Sequence, residues 1–136
     1  MRTQELTNAA NVANLALSYA LSLEMWGGAT SNVAMLFLYR FPWERLKTLR
    51  EKVSDVLFQM LLHGANSMGY TNYPDNVVKN FCKQASKSGM DIFRVFDYLN
   101  YTKNLKIGID SAGSVSGLVE GTLSYTGDVS DPNKGK

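Results

Sequence analysis

Apolar positions along the chain switch between two rhythms, a helical one of three to four residues and short continuous runs bounded by polar loops. Leu6, Ala9, Ala10, Ala13, Leu17 and Ala20 fall at helical spacing and predict a first amphipathic helix. LSLEM (21–25) reads as a strand and WGGAT as the loop after it. Residues 31–40 read as helical, Phe41-Pro42 breaks the chain, and Trp43, Leu46, Leu49 and Val53 mark another helix. A second strand, VLFQMLL (56–62), runs into the polar loop HGANSMGYTNY. Pro74 then opens a helix with Val77, Val78, Phe81, Cys82 and Ala85 on one face, ending at Gly89. A third strand (90–97) leads to YLNYTKN, a helix is marked by Leu105, Ile109 and Ala112, and a fourth strand covers 118–125.

Strands alternating with helices predict an α/β fold of parallel βαβ units. Apolar residues on both parities of the strands predict a sheet covered on both faces. Two architectures satisfy this, a small doubly wound sheet and part of a (β/α)8 barrel. The polar, glycine-rich segments all follow strands, where sites of either fold lie. No GxGxxG follows the first strand, which argues against a dinucleotide fold. Four strands are half of a barrel that takes roughly 250 residues.

Composition narrows the function classes. A chain of 136 residues with 45% hydrophobic and 19% charged residues is globular and suits one domain. Lys+Arg 14 against Asp+Glu 12 gives no basic surface for nucleic acid, and no apolar run reaches membrane-spanning length. The first twenty residues carry Glu5 and lack the compact apolar core of a secretory signal. One cysteine, Cys82, and one histidine, His63, make neither an internal disulfide nor a zinc site, which suits a reducing, intracellular setting.

Several polar residues stand where chemistry could occur, and each has a structural reading beside it. His63 ends an apolar run, and on the pattern alone it is a loop histidine satisfied by backbone. Tyr70 and Tyr73 read as packing aromatics and Cys82 as core. Arg94 and Asp97 have opposite parity on one predicted strand, so one of them faces away from the site. Asp97, at the strand end, is the better functional candidate, with a helix cap or loop hydrogen bond as its alternative role. Glu120 and Thr122 share a face, and a buried glutamate there needs a partner.

LSLEMWGGAT, FPWERLKTLR, FQMLLHGANSMGYTNYPDNVV, MDIFRVFDYLNY and VEGTLSYTGDV, in that order, resemble the carboxyltransferase domain of the pyruvate carboxylases, across about residues 2–131. That domain belongs to the barrel superfamily of biotin-dependent carboxylases and lyases of hydroxymethylglutaryl-type thioesters. The resemblance implies a partial (β/α)8 TIM barrel of about four consecutive βα units, residues 1–136 being a fragment of the domain. It implies carboxylation of pyruvate to oxaloacetate with carboxybiotin as donor, beside a divalent Mn or Zn ion. The metal ligands, the biotinyl lysine and the ATP-binding domain of the family all match positions outside these 136 residues. No metal ligand or catalytic residue is therefore expected within the chain. Family members form tetramers, in the mitochondrial matrix of animal-like eukaryotes and otherwise in the cytoplasm. The alternatives are a non-catalytic relic, or a segment of a related oxaloacetate decarboxylase or transcarboxylase subunit.

The resemblance also assigns the substrate pocket. His63 stands at the position of an arginine that contacts pyruvate, and Tyr70 matches a tyrosine of the same pocket. A guanidinium grips a carboxylate with two parallel hydrogen bonds and stays charged, whereas imidazole offers one donor and is about one-tenth protonated at pH 7.5 if its pKa is ordinary. Residues 27–34 read GGATSNVA against the family's GGATFDVA, and RVFDYLN has Tyr98 where the family has a small residue. These departures put catalytic competence in question. The isolated chain is expected to expose two sheet edges and an apolar lumen face, and to associate or aggregate.

Overall fold

The computed structural model describes residues 2–67, 69, 71–128 and 130. The elements run α1 (Thr3–Ala16), β1 (Ser22–Trp26), α2 (Gly28–Leu36), α3 (Pro42–Lys52), β2 (Leu57–Leu62), a 3-10 turn (Gly64–Asn66), α4 (Asp75–Lys87), β3 (Ile92–Val95), α5 (Thr102–Gly113) and β4 (Leu118–Gly121). The four strands are all parallel and lie in the order β1-β2-β3-β4. A doubly wound sheet reverses its strand order about a switch point, so this sequential order is that of a barrel segment. Right-handed crossovers between successive neighbours put the connecting helices α2 to α5 on the same side.

That side is the core. Phe58, Met60, Leu62, Phe93 and Val95 alternate along β2 and β3 and are fully buried beneath the helices. The other parity, which we call the lumen face, carries Ser22, Glu24, Gln59, Leu61, Ile92, Arg94, Leu118 and Glu120. Side chains of Glu24, Arg94 and Glu120 remain 44%, 38% and 42% exposed. The expectation of two covered faces thus gives way, among the described residues, to one face under helices and one open and charged. In β1 a bulge makes Met25 the extra residue, so that Trp26 pairs with Met60. The bulge turns Trp26 to the helix side, where it stacks on Trp43 of α3 at 5.7 Å, and Trp43 in turn meets Phe81 of α4.

Element ends follow local chemistry. α2 begins within the segment expected to be loop, and the Thr30 hydroxyl accepts the Gly27 N–H at 3.2 Å there. α4 ends as the sequence predicts: Gly89 takes φ +107°, Met90 N–H bonds to Ala85 O and Gly89 N–H to Ser86 O. The third and fourth strands are shorter than the runs that predicted them. Asp91 and Asp97 turn their carboxylates to backbone N–H groups on either side of β3. Past β4, Thr122 still bonds Val95 O, but Ser124 leaves the ladder to pair with Asn100.

Arg50 ties three elements together at the N-terminal end of the sheet. Its Nη1 donates to Val53 O at 3.2 Å and Val56 O at 2.8 Å, and its Nη2 pairs with Asp91. The guanidinium lies 4.1 Å above the Phe58 ring, and the same Asp91 oxygen accepts the Phe58 N–H. A Cβ at Gly89 would come within 2.8 Å of the Arg50 side chain. Arg50→Ala should therefore lower unfolding free energy by about 2–3 kcal/mol, because two carbonyls and a part-buried carboxylate lose their donor. Urea titration of the variant against the parent, both carried within a complete barrel of the resembling domain, measures this. A change below about 0.5 kcal/mol would show that the cluster is incidental.

Candidate active-site rim

At the C-terminal ends of β2 and β3 the chain builds a polar rim. His63 directly follows β2, its N–H bonding Ser67 O at 2.8 Å while Asn66 N–H returns to His63 O at 2.7 Å. Gly64, at φ +42°, lets this turn press against α5: a Cβ there would lie 2.6 Å from Asn104 O. His63 has the lumen parity of Gln59 and Leu61, and its ring meets Phe96 edge-on at 4.6 Å. Burial lowers its pKa below the ordinary 6.5. An ordinary imidazole was the expectation; in the fold His63 is more firmly neutral and less able to hold an anion by charge.

Asp97 is drawn into its own loop. One oxygen accepts Leu99 N–H at 3.0 Å and Tyr101 N–H at 2.8 Å, and the other accepts Asn104 Nδ2 at 3.2 Å. The Tyr101 N–H, helped by Asn104 and Leu99, holds the carboxyl below its usual range. Asp97 therefore orders the entry to α5. Asn100 locks the same loop onto the segment after β4, exchanging hydrogen bonds with Ser124 at 2.7 and 2.8 Å. Tyr70 lies outside the described residues. Tyr73 N–H bonds Ala65 O at 3.0 Å, folding the loop back on the turn.

Below the rim, Arg94 bridges the lumen face. Its Nε donates to Glu120 at 2.8 Å and its Nη1 to Glu24 at 2.9 Å, while Gln59 donates to Glu24 at 3.3 Å and accepts from Ser22 at 3.0 Å. The partner demanded for Glu120 is thus Arg94, the residue of opposite parity to Asp97. Thr122 instead bonds backbone at Val95. Glu24 and Gln59 were missed by the sequence reading, although Ser22 and Glu24 share one parity and Gln59 interrupts an apolar run. Ser31 is fully buried with its hydroxyl unpaired among the described residues. Cys82 is core, its thiol pushed up to about 12 by burial. No helix among the described residues is long and apolar enough to cross a membrane.

The chain is 54% identical to human mitochondrial pyruvate carboxylase over 136 residues, all of this chain and 12% of that protein. Over 134 residues it is 53% identical to pyruvate carboxylase of Schizosaccharomyces pombe, covering 98% of this chain and 11% of the relative. The carboxyl transferase domain of Rhizobium etli pyruvate carboxylase, solved with pyruvate, superposes at TM-score 0.92 and 49% identity, covering 100% of this chain and 23% of that one. The same domain solved with oxamate and biotin superposes at 0.91 and 50% identity over 98% and 22% of the two chains. No protein-family model matches the chain.

Fold and sequence together define a segment of a carboxyltransferase barrel of the TIM class. In particular, the chain corresponds over its whole length to part of the carboxyltransferase domain of pyruvate carboxylase. The decarboxylase and transcarboxylase alternative is not favoured. The chain spans about an eighth of the length of the human relative.

The single histidine makes a pH test specific. Because folding lowers the His63 pKa, the unfolded chain binds more protons between the folded value and 6.5. The stabilisation is complete above pH 6.5 and is lost as pH falls below it. With the chain carried in the Rhizobium etli domain, the unfolding midpoint should fall further between pH 7.5 and pH 5.5 for the parent than for His63→Gln. Equal falls for the two would show that the ring is not desolvated.

Proposed function

We propose that this chain supplies four consecutive βα units to a carboxyltransferase barrel that carboxylates pyruvate, and that His63 binds the substrate carboxylate there. The observation that supports this reading most directly is His63 itself. It stands just past β2 on the lumen parity, beside Phe96 and above the Arg94 bridge. Substrates of parallel α/β barrels bind at this end of the strands. The neutral ring offers one N–H to a carboxylate, and the Phe96 edge shields that contact on one side. In this reading Tyr70, which matches a pocket tyrosine of the resembling family, is a second substrate contact, and Asp97 contributes by fixing the β3–α5 loop.

Among the described residues no group of three His, Cys, Asp or Glu is placed to hold a metal. The chemistry assigned to this chain in this reading is binding and orienting pyruvate. Biotin, the divalent Mn or Zn ion and the ATP-driven step belong, in this reading, to parts of a longer protein. Its proposed setting is a tetrameric assembly, as the resemblance implies, in the mitochondrial matrix if the source is animal-like.

The test replaces the matching segment of the Rhizobium etli domain with this chain and measures carboxyl transfer to pyruvate. Exchanging a charged bidentate contact for one neutral hydrogen bond should leave the graft about ten- to a hundredfold slower in kcat/KM. His63→Arg should recover most of that loss. Because burial depresses the His63 pKa, the graft should gain less at pH 6 than a free imidazole would give. Equal kcat/KM for the parent graft and its His63→Arg variant at pH 8 would remove His63 from the substrate pocket.

A further inference from the structure

The outer helices enclose a cavity of about 680 Å³ between the first turns of α1 and α3 and the connection from α2 to α3. None of its lining residues belongs to the rim or to the lumen face. Three arginines line it, Arg2 at the start of α1, Arg40 on the connection and Arg45 on α3, against the single carboxylate of Glu44. Among the described residues Arg2, Arg40 and Glu44 form no ion pair. Arg45 is half-buried, and that burial lowers its pKa from the ordinary guanidinium value, a cost that an anion beside it would offset. α3 also opens without a side-chain cap, so its dipole adds positive potential at the same place. Phe37 and Phe41, 73% and 60% exposed, complete the wall.

The connection that carries three of these residues is held in place. Phe37 and Leu38 N–H both bond Val33 O at 3.1 Å, and Arg40 N–H bonds Ala34 O at 2.8 Å. Tyr39 between them takes φ +48°, a left-handed conformation that costs a tyrosine energy. We propose that this cavity binds a phosphorylated small molecule with a flat ring, its phosphates held by Arg2, Arg40 and Arg45 and its ring laid against Phe37 and Phe41. The volume falls within the roughly 300–1,000 Å³ of small-molecule sites. A phosphate offers three oxygens that guanidinium forks from separate elements can share, whereas a carboxylate offers two. The other basic feature, Lys79, Lys83 and Lys87 of α4, lies beside the C-terminal turns of α4 and α5, where the helix dipoles oppose an anion. The inference does not depend on carboxyl transfer or on His63, so its readout is binding rather than turnover.

The test carries this chain in the Rhizobium etli carboxyl transferase domain and titrates it with ADP, pyrophosphate and adenosine by isothermal calorimetry. ADP should bind at one site per chain, more tightly than pyrophosphate and far more tightly than adenosine. Arg40 is exposed and forms no ion pair, so Arg40→Gln should keep the thermal midpoint while weakening ADP about tenfold or more. Arg45→Gln should weaken it similarly, and Lys83→Gln should leave it unchanged. Replacing Phe37 and Phe41 together by Ala should reduce ADP to the affinity of pyrophosphate and leave pyrophosphate as it was. No binding of ADP, or binding that Arg40→Gln and Arg45→Gln leave intact, overturns the proposal. An equal loss for Lys83→Gln, or binding that vanishes at about 0.15 M salt, would reduce the effect to screened surface attraction and overturn it as well. Pyrophosphate binding as tightly as ADP overturns the ring contact.

Discussion

Each crossover in this chain joins a parallel strand to its immediate neighbour, and a right-handed connection of that kind can lay its helices on one side of the sheet only. Every other property of the molecule is conditional on that. One parity of β2 and β3 becomes a dry apolar layer of Phe58, Met60, Leu62, Phe93 and Val95. The other parity is released from packing helices and is free to hold Glu24, Gln59, Arg94 and Glu120. The division between stability and chemistry is therefore a division between the two faces of one sheet. Arg50 and Asp91 secure the N-terminal end, away from the rim where His63, Asp97 and Asn100 are gathered.

The element order and the fold class were legible because they rest on local rhythm and turn chemistry. The end of α4 is the clearest case: Gly89 marks the stop in the sequence, and it adopts the left-handed conformation that the two closing hydrogen bonds need. Strand ends were less legible. IFRV and its flanks read as one extended run, but the strand proper is four residues long: Asp91 and Asp97 turn their carboxylates to backbone N–H groups, while Asp91 N–H and Phe96 N–H still reach Phe58 O and Leu62 O. That competition is between side-chain and backbone acceptors and leaves no mark in hydrophobic periodicity.

The site was legible in part, and unevenly. His63 was conspicuous as a polar stop to an apolar run, while the suppression of its charge depends on neighbours such as Phe96, thirty-three positions away. Asp97 was singled out for lying at a strand end, and its three hydrogen bonds show the loop that it orders. The Arg94 bridge was hidden because its partners sit seventy residues before it and twenty-six after it. Opposite charges that meet only through strand register cannot be paired until that register is known.

The bulge at Met25 has a consequence for how this chain tolerates change in length. Upstream of it, β1 presents Glu24 to the lumen; downstream, the same strand presents Trp26 to the helices. The two halves of β1 are out of phase by one residue, and the slip is what puts Trp26 on the helix side although it lies two positions from the lumen-facing Glu24. Removing Met25 would restore a regular pleat with Glu24 still on the lumen face and Trp26 still on the helix side, whereas adding a further residue between them would carry the indole away from Trp43 or the carboxylate away from Arg94. A segment of five residues thus encodes its reading frame in three dimensions as strictly as a codon does in one.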